Sequence, residues 1–293
     1  MEKKMLPLAN GETLAYLEKG RGSNVLVLIH GNLSSSVYFL PLIERLPDDV
    51  HVYAFDLRGF GDSTYEKPIT SLKELADDVQ LAFKALKIKS AHVLGWSLGG
   101  GVAMELAAHY PSFVKKLILL ASTTHKGYPI FKKDANLQPL VGEIYASPAE
   151  MANDPLQVKP VIDAIAHKNA GFLSYIYDLT IYSHKKPSAE ENELYISETM
   201  KQRNLSAADY ALAALNMSDQ PNFYRSGDNT IHLIKAPTLH LWGELDRTVL
   251  ESMVMDNVKA IPNSTLIKWK ECGHSPLVDK PDELTKTVLD FIK

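Results

Sequence analysis

The stretch HVLGWSLGGGVAMELAAHYP, running from His92 to Pro111, joins two patterns at a single serine. His92–Trp96 is a short apolar run with the length of a buried strand. Leu98–Tyr110 is small and apolar, long enough for a helix, and Pro111 stops it. Between them stands Ser97, with Gly95 and Gly99 flanking it at symmetrical distance. Glycine has a steric reason at both places. A strand that turns at once into a helix pinches the backbone, and a β-carbon there would strike the turn or a neighbouring strand. The strained turn lifts the serine hydroxyl above the sheet edge. The new helix aims its N-terminal N–H groups at whatever bonds to that oxygen. Gly100 and Gly101 would let the helix lie close to the sheet.

Working outward, the short apolar runs Val25–Ile29, Val52–Phe55, Leu117–Leu120, Thr238–Trp242 and Thr265–Trp269 read as buried strands, and Thr13–Leu17 as an outer one. Near-continuous apolarity predicts a parallel sheet covered on both faces. Helical patterns fall between the strands. Ser71 and Glu74 predict a capping box ahead of Leu75, Val79, Ala82, Phe83 and Leu86. Pro281 opens a helix carrying Leu284, Val288, Leu289 and Phe291. The alternation predicts an α/β class, a doubly wound and mostly parallel sheet. It breaks from Thr123 to Lys235, a mostly helical, tyrosine-rich stretch where Ser188 with Glu191 and Ser206 with Asp209 look like N-caps. The expected organisation is a core of residues 1–122 and 236–293 with a helical cap, or lid, of residues 123–235.

Bulk properties narrow the function classes. The chain has 293 residues, 45% of them hydrophobic, enough for a sizeable core. Net charge is −4 and no basic stripe is visible, so no nucleic-acid partner is expected. No apolar run approaches the roughly 20 residues of a membrane span, so no membrane partner is expected. The lone Cys272 cannot form an internal disulfide, and the first residues carry no apolar signal segment, which predicts a cytoplasmic protein. No glycine-rich dinucleotide loop follows a strand and no His/Asp/Cys set has ligand spacing, so neither cofactor nor metal is expected. The oligomeric state is not encoded legibly.

A serine is a weak nucleophile and needs a base, and the base needs an orienting acid. In a strand–turn–helix setting like this one the partners follow in the order Ser, Asp or Glu, His. PTLHLWGELDRTV (Pro237–Val249) holds Asp246 just past a strand, with Glu244 as the rival acid. WKECGHSPLVDKP (Trp269–Pro281) holds His274 in the loop after the last predicted strand. His30, His51, His125, His167 and His184 read instead as surface or hydrogen-bonded histidines. A tetrahedral intermediate needs N–H donors for its oxygen. The expected pair is the backbone N–H of Leu98 and that of Asn32 in LIHGNLSSS (Leu28–Ser36), with Leu33 as the fallback. Trp96, Phe39 and Leu277 are the expected substrate-binding side chains.

Five motifs in order, HGN (His30–Asn32), DLRGFGDS (Asp56–Ser63), GWSLGG (Gly95–Gly100), WGELD (Trp242–Asp246) and GHSP (Gly273–Pro276), together resemble the α/β-hydrolase superfamily. The closest likeness is to serine-nucleophile, esterase- or lactonase-like members with a helical cap. That resemblance implies an eight-stranded sheet, a cap between its sixth and seventh strands, and Arg58 and Asp62 as ties between loops. HGN is also similar to haloalkane dehalogenases and DLRGFGDS to epoxide hydrolases. Both use an aspartate nucleophile and form an alkyl ester, whereas Ser97 would form an acyl-enzyme. Proline iminopeptidase-like peptidases carry Trp after the serine, whereas Trp96 precedes it. The elbow is similar to that of some acyl-homoserine lactonases. The expected activity is hydrolysis of a small carboxylic ester, with a small-molecule ester or lactone as partner. Lactonase, thioesterase and carbon–carbon bond hydrolase chemistry would use the same triad, and a small-molecule receptor with slow hydrolysis is the rival of a different class.

Overall fold

Ala91–Trp96 can be buried at every residue only if strands lie on both sides of it and helices cover both faces. A computed structural model describing residues 1–293 has this arrangement. The chain runs through β1 (Lys4–Pro7), β2 (Thr13–Lys19), β3 (Asn24–Ile29), α1 (Leu40–Arg45), β4 (Val50–Phe55), α2 (Leu72–Ala85), β5 (Ala91–Trp96), α3 (Leu98–His109) and β6 (Val114–Leu120). An excursion follows: a hairpin of β7 (Phe131–Lys133) and β8 (Pro139–Ile144), then α4 (Pro148–Met151), α5 (Lys159–Ala166), α6 (Ala170–Thr180), α7 (Ala189–Thr199) and α8 (Leu205–Ala214). The chain returns as β9 (Thr238–Gly243), α9 (Glu251–Ala260), β10 (Ser264–Trp269), α10 (Pro276–Asp279) and α11 (Pro281–Ile292).

The main sheet has eight strands in the order β1-β2-β4-β3-β5-β6-β9-β10. β2 is antiparallel to β1 and β4, and every other pairing is parallel. β6 and β9 are neighbours, so the whole excursion is inserted between the sixth and seventh strands of the sheet. Alternate strand residues point to opposite faces. Val27, Ile29 and Val93 therefore enter one core with α2 and α3, while Leu26, Leu28 and Leu94 enter the other with α1 and α11. No helix is long and apolar enough to cross a membrane.

The local signals have mixed outcomes. Ser188 and Glu191 form a complete capping box at α7. Ser71 precedes α2 but makes no side-chain cap bond, and Glu74 reaches back to Thr70 instead. Ser206 lies inside α8, whose N-cap is Asn204, so Asp209 is no capping partner. β1 and the β7–β8 hairpin have no counterpart among the expected strands. β1 has no buried residue, and β7 is only three residues long, so neither leaves an apolar run to read.

Two ionic ties join distant loops. Arg58 donates through Nε and Nη2 to the two oxygens of Asp78, each at 2.7 Å. Lys3 Nζ sits among Asp56 at 2.8 Å, Asp62 at 2.8 Å and Glu198 of α7 at 2.5 Å. Tyrosines bind the excursion to the core: Tyr38 stacks on Tyr195 at 4.5 Å and its hydroxyl meets Thr199 at 2.7 Å.

Gly99 sets how near α3 lies to β3. A β-carbon there would be 2.2 Å from the Ile29 carbonyl oxygen and 2.4 Å from that of His30. Gly99→Ala should therefore cost about 1–3 kcal/mol or more in urea unfolding, because only backbone can give way. Gly171→Ala in α6 meets nothing nearer than 3.7 Å and should gain up to about 1 kcal/mol. Equal stability of the two variants would contradict the close approach.

Candidate active site

Ser97 adopts φ 56° and ψ −121°, a region that costs a non-glycine residue about 1–3 kcal/mol. Three backbone bonds hold it there. Its N–H donates to Leu120 O at 3.0 Å, and its carbonyl accepts from Gly100 N at 2.9 Å and Thr123 N at 3.2 Å. Gly95 is required, since a β-carbon would lie 2.3 Å from Gly99 O. Gly31 lets the loop after β3 close over the serine, its would-be β-carbon 3.0 Å from Ser97 Cβ.

His274 comes from the loop after β10 and meets Ser97 across the sheet end. Its Nε2 is 3.0 Å from Ser97 Oγ and its Nδ1 is 2.8 Å from Asp246 Oδ2. Both the imidazole and the carboxylate are almost wholly buried. The other oxygen of Asp246 accepts from the N–H groups of Thr248 at 2.8 Å and Val249 at 2.9 Å, which fixes the carboxylate's angle. With Nδ1–H donated to Asp246, Nε2 is the acceptor that faces the serine hydroxyl. Trp96 Nε1 donates to the His274 carbonyl at 2.9 Å and anchors that loop. Of the two candidate acids, Asp246 reaches the imidazole. Glu244 is exposed, with its backbone N–H on Trp269 O.

The backbone N–H groups of Asn32, in the loop after β3, and of Leu98, the first residue of α3, have no acceptor within the protein. The Leu33 N–H is committed elsewhere, to Gln202 Oε1 at 2.9 Å and Asn32 Oδ1 at 3.0 Å. His30 supports the same loop. Its Nε2 accepts from Leu57 N at 3.0 Å while Nδ1 donates to Gly31 O at 2.7 Å. Burial pushes this imidazole down to about 4, so it is neutral. His51 pairs with Glu18 and His125 with Asn257, both away from Ser97.

Four residues to which sequence reasoning gave no role at the site hold the Asn32–Leu33 loop from the inserted segment. Thr199 Oγ1 donates to Leu33 O at 2.5 Å, and the Tyr177 hydroxyl donates to the same oxygen. Gln202 Nε2 donates to Asn32 Oδ1 at 2.9 Å, and Asp209 Oδ1 accepts from Asn32 Nδ2 at 2.7 Å. They lie more than 140 residues along the chain from the loop they hold, in no motif, so only the fold brings them together.

A cavity of about 400 Å³ contains Ser97, His274, Trp96 and Asn32, walled by apolar groups that include Ile130, Val161, Ile176 and Leu212. A wider cleft of about 830 Å³ adjoins it, sharing Tyr128, Gln157, Arg247 and Thr248 but not Ser97. Of the three expected substrate-binding side chains, only Trp96 lines the cavity. Phe39 and Leu277 do not. Both are buried in the apolar core beneath the sheet, where packing against α1 and α11 consumes their surface.

A family model described as alpha/beta hydrolase fold matches residues 24–281. The chain is 26% identical over 278 residues to a pimeloyl-[acyl-carrier protein] methyl ester esterase of Vibrio vulnificus, covering 95% of this chain and 97% of that protein. It is 28% identical over 297 residues to lipase 1 of Psychrobacter immobilis, covering 97% of this chain and 81% of that protein. Among solved structures, an esterase from Exiguobacterium antarcticum superposes with a TM-score of 0.76 at 18% identity, covering 99% of both chains.

Phe39→Ala and Leu277→Ala should each cost about 2–5 kcal/mol in urea unfolding, as buried core truncations do. Under folding conditions neither should alter the rate at which a small fluorophosphonate labels Ser97. A changed labelling rate at undiminished stability would return that residue to the cavity wall.

Proposed function

The chain belongs to the α/β-hydrolase-fold family, and from that premise we propose that it hydrolyses a small carboxylic ester through an acyl-enzyme on Ser97. The observation that carries this reading is the unbroken chain of contacts from Asp246 through His274 to Ser97, at 2.8 and 3.0 Å. In the first half-reaction Nε2 takes the hydroxyl proton as Oγ attacks the ester carbonyl. The Asn32 and Leu98 N–H groups receive the negative oxygen of the tetrahedral intermediate. The imidazolium, steadied by Asp246, then protonates the departing alcohol. In the second half-reaction water gives its proton to Nε2 and attacks the acyl carbonyl; the bond from the acyl carbon to Ser97 Oγ then breaks, Oγ takes the proton back from Nε2, and the acid is released. No step calls for a metal or cofactor.

Residues 1–122 and 236–293 would supply the chemistry, and residues 123–235 would act as the lid that sizes the substrate. The apolar walls contributed by Ile130, Val161, Ile176 and Leu212 suit an acyl or alkyl group of modest length in about 400 Å³. The relatives named as a methyl ester esterase and a lipase favour an ester over other acyl substrates. A lactone is a cyclic ester and would react by the same attack.

Initial rates on a p-nitrophenyl ester series, short acyl to long, test the reading with wild-type protein and Ser97→Ala side by side. Ser97→Ala and His274→Ala should lower turnover by roughly 10⁴ to 10⁶. Asp246→Asn should be severe and Glu244→Gln mild. Absence of Ser97-dependent turnover on esters and lactones alike, with tight ligand binding retained, would favour a receptor instead.

A further inference from the structure

One charged side chain of the cavity has no part in the acyl-transfer scheme. Asp209 on α8 lines the same cavity as Ser97 and His274, with only 8% of its surface exposed. Its Oδ1 accepts from Asn32 Nδ2 at 2.7 Å. Its Oδ2 accepts from no protein donor, and no lysine, arginine or histidine pairs with it. That oxygen is not sealed inside the protein either, since it is absent from the buried polar atoms cut off from every partner. With Oδ1 committed to Asn32, Oδ2 is the oxygen this residue has left for the cavity it lines.

Such a carboxyl is costly to keep. Burial raises it to about 7, the Asn32 amide opposing the rise and the charge of Asp154 adding to it. Holding Asn32 does not require this cost. A neutral amide does the equivalent job at the other end of the same side chain, where Gln202 Nε2 donates to Asn32 Oδ1 at 2.9 Å. What an ionised carboxyl adds at position 209 is a second strong acceptor, and the protein leaves it unused in a mostly apolar space.

We propose that Asp209 is a specificity-determining residue whose Oδ2 accepts a hydrogen bond from a hydroxyl or amide N–H carried by the substrate close to its scissile carbonyl. The inference rests on the ester-hydrolase reading above. Proximity to the carbonyl follows from Asn32, whose backbone N–H faces the reacting oxygen in that reading while its side chain touches Asp209. The substrate class is thus a polar-substituted ester, such as a hydroxyacyl or acylamino ester, rather than a plain alkanoate.

The test compares p-nitrophenyl 3-hydroxybutyrate and p-nitrophenyl N-acetylglycinate with plain p-nitrophenyl butyrate. Wild type, Asp209→Asn, Asp209→Ser and Ser97→Ala are assayed in parallel. Asp209→Asn can keep its oxygen on Asn32 and turn an N–H toward the cavity, which reverses the hydrogen-bonding sense. Each ratio of kcat/KM is taken within one variant, so a general loss of activity cancels and a merely structural role leaves the ratio unmoved. Wild type should favour at least one donor-bearing ester by roughly ten- to a hundredfold. That preference should fall to about one in both Asp209 variants, or in Asp209→Ser alone if Asp209→Asn does not fold. A flat wild-type ratio, or a preference that survives substitution, overturns the assignment of Asp209 and leaves the esterase reading intact. No Ser97-dependent turnover on any of the three esters overturns both.

Discussion

Everything at the end of this sheet depends on how closely α3 can approach β3 and β5. The approach is set by backbone meeting backbone: Gly99 against the carbonyls of Ile29 and His30, and Gly95 against Gly99. Without side chains in the gap, the chain turns from strand to helix around one residue and forces Ser97 to φ 56°. The strain is local and is held by three backbone hydrogen bonds, so the hydroxyl has little freedom to retreat. The same compression brings the Asn32 loop down on the serine, because Gly31 leaves room for it. One steric constraint thus positions the hydroxyl, the helix N-terminus and the facing loop together.

The second determinant is less local. The carbonyl of Leu33 and the side chain of Asn32 are held by Tyr177, Thr199, Gln202 and Asp209, all from the inserted segment. The inserted segment is thus part of the scaffold of the loop beside the serine. Its tyrosines have a matching division of labour. Tyr177 and Tyr195 stack on Tyr38 of the core and fasten the segment to it, and Tyr128 and Tyr177 reach the cavity.

The sequence made legible whatever is fixed by short-range sterics or by the end of a strand. Gly95, Ser97 and Gly99 declare the turn, and the apolar runs declare seven of the eight main strands. Asp246 and His274 stand out because each directly follows such a run. What stayed hidden depends on long-range packing. Nothing near Phe39 or Leu277 says which side of the sheet the side chain will face, and both turned out to be core. Asp209, read as a cap partner of Ser206, has its environment decided by Asn32, a residue 177 positions away. β1 and the hairpin of β7 and β8 were missed because exposed or very short strands carry no apolar period.

Lys3 bridges the loop after β4 and helix α7 of the inserted segment. Asp56, Asp62 and Glu198 offer oxygens within 4.8 Å of one another; the Lys3 ammonium meets all three, and the Lys201 ammonium meets Asp62 and Glu198. Like charges at that spacing repel, and Lys3 is the cation that reaches Asp56, so its release would leave Asp56 facing two carboxylates with Lys201 alone to offset them. Helix α7 of the inserted segment is therefore tied to the residue that leads into β1, an edge strand with no buried residue. Fraying of that strand would loosen α7 from its tie to the core, at a point that does not line the cavity.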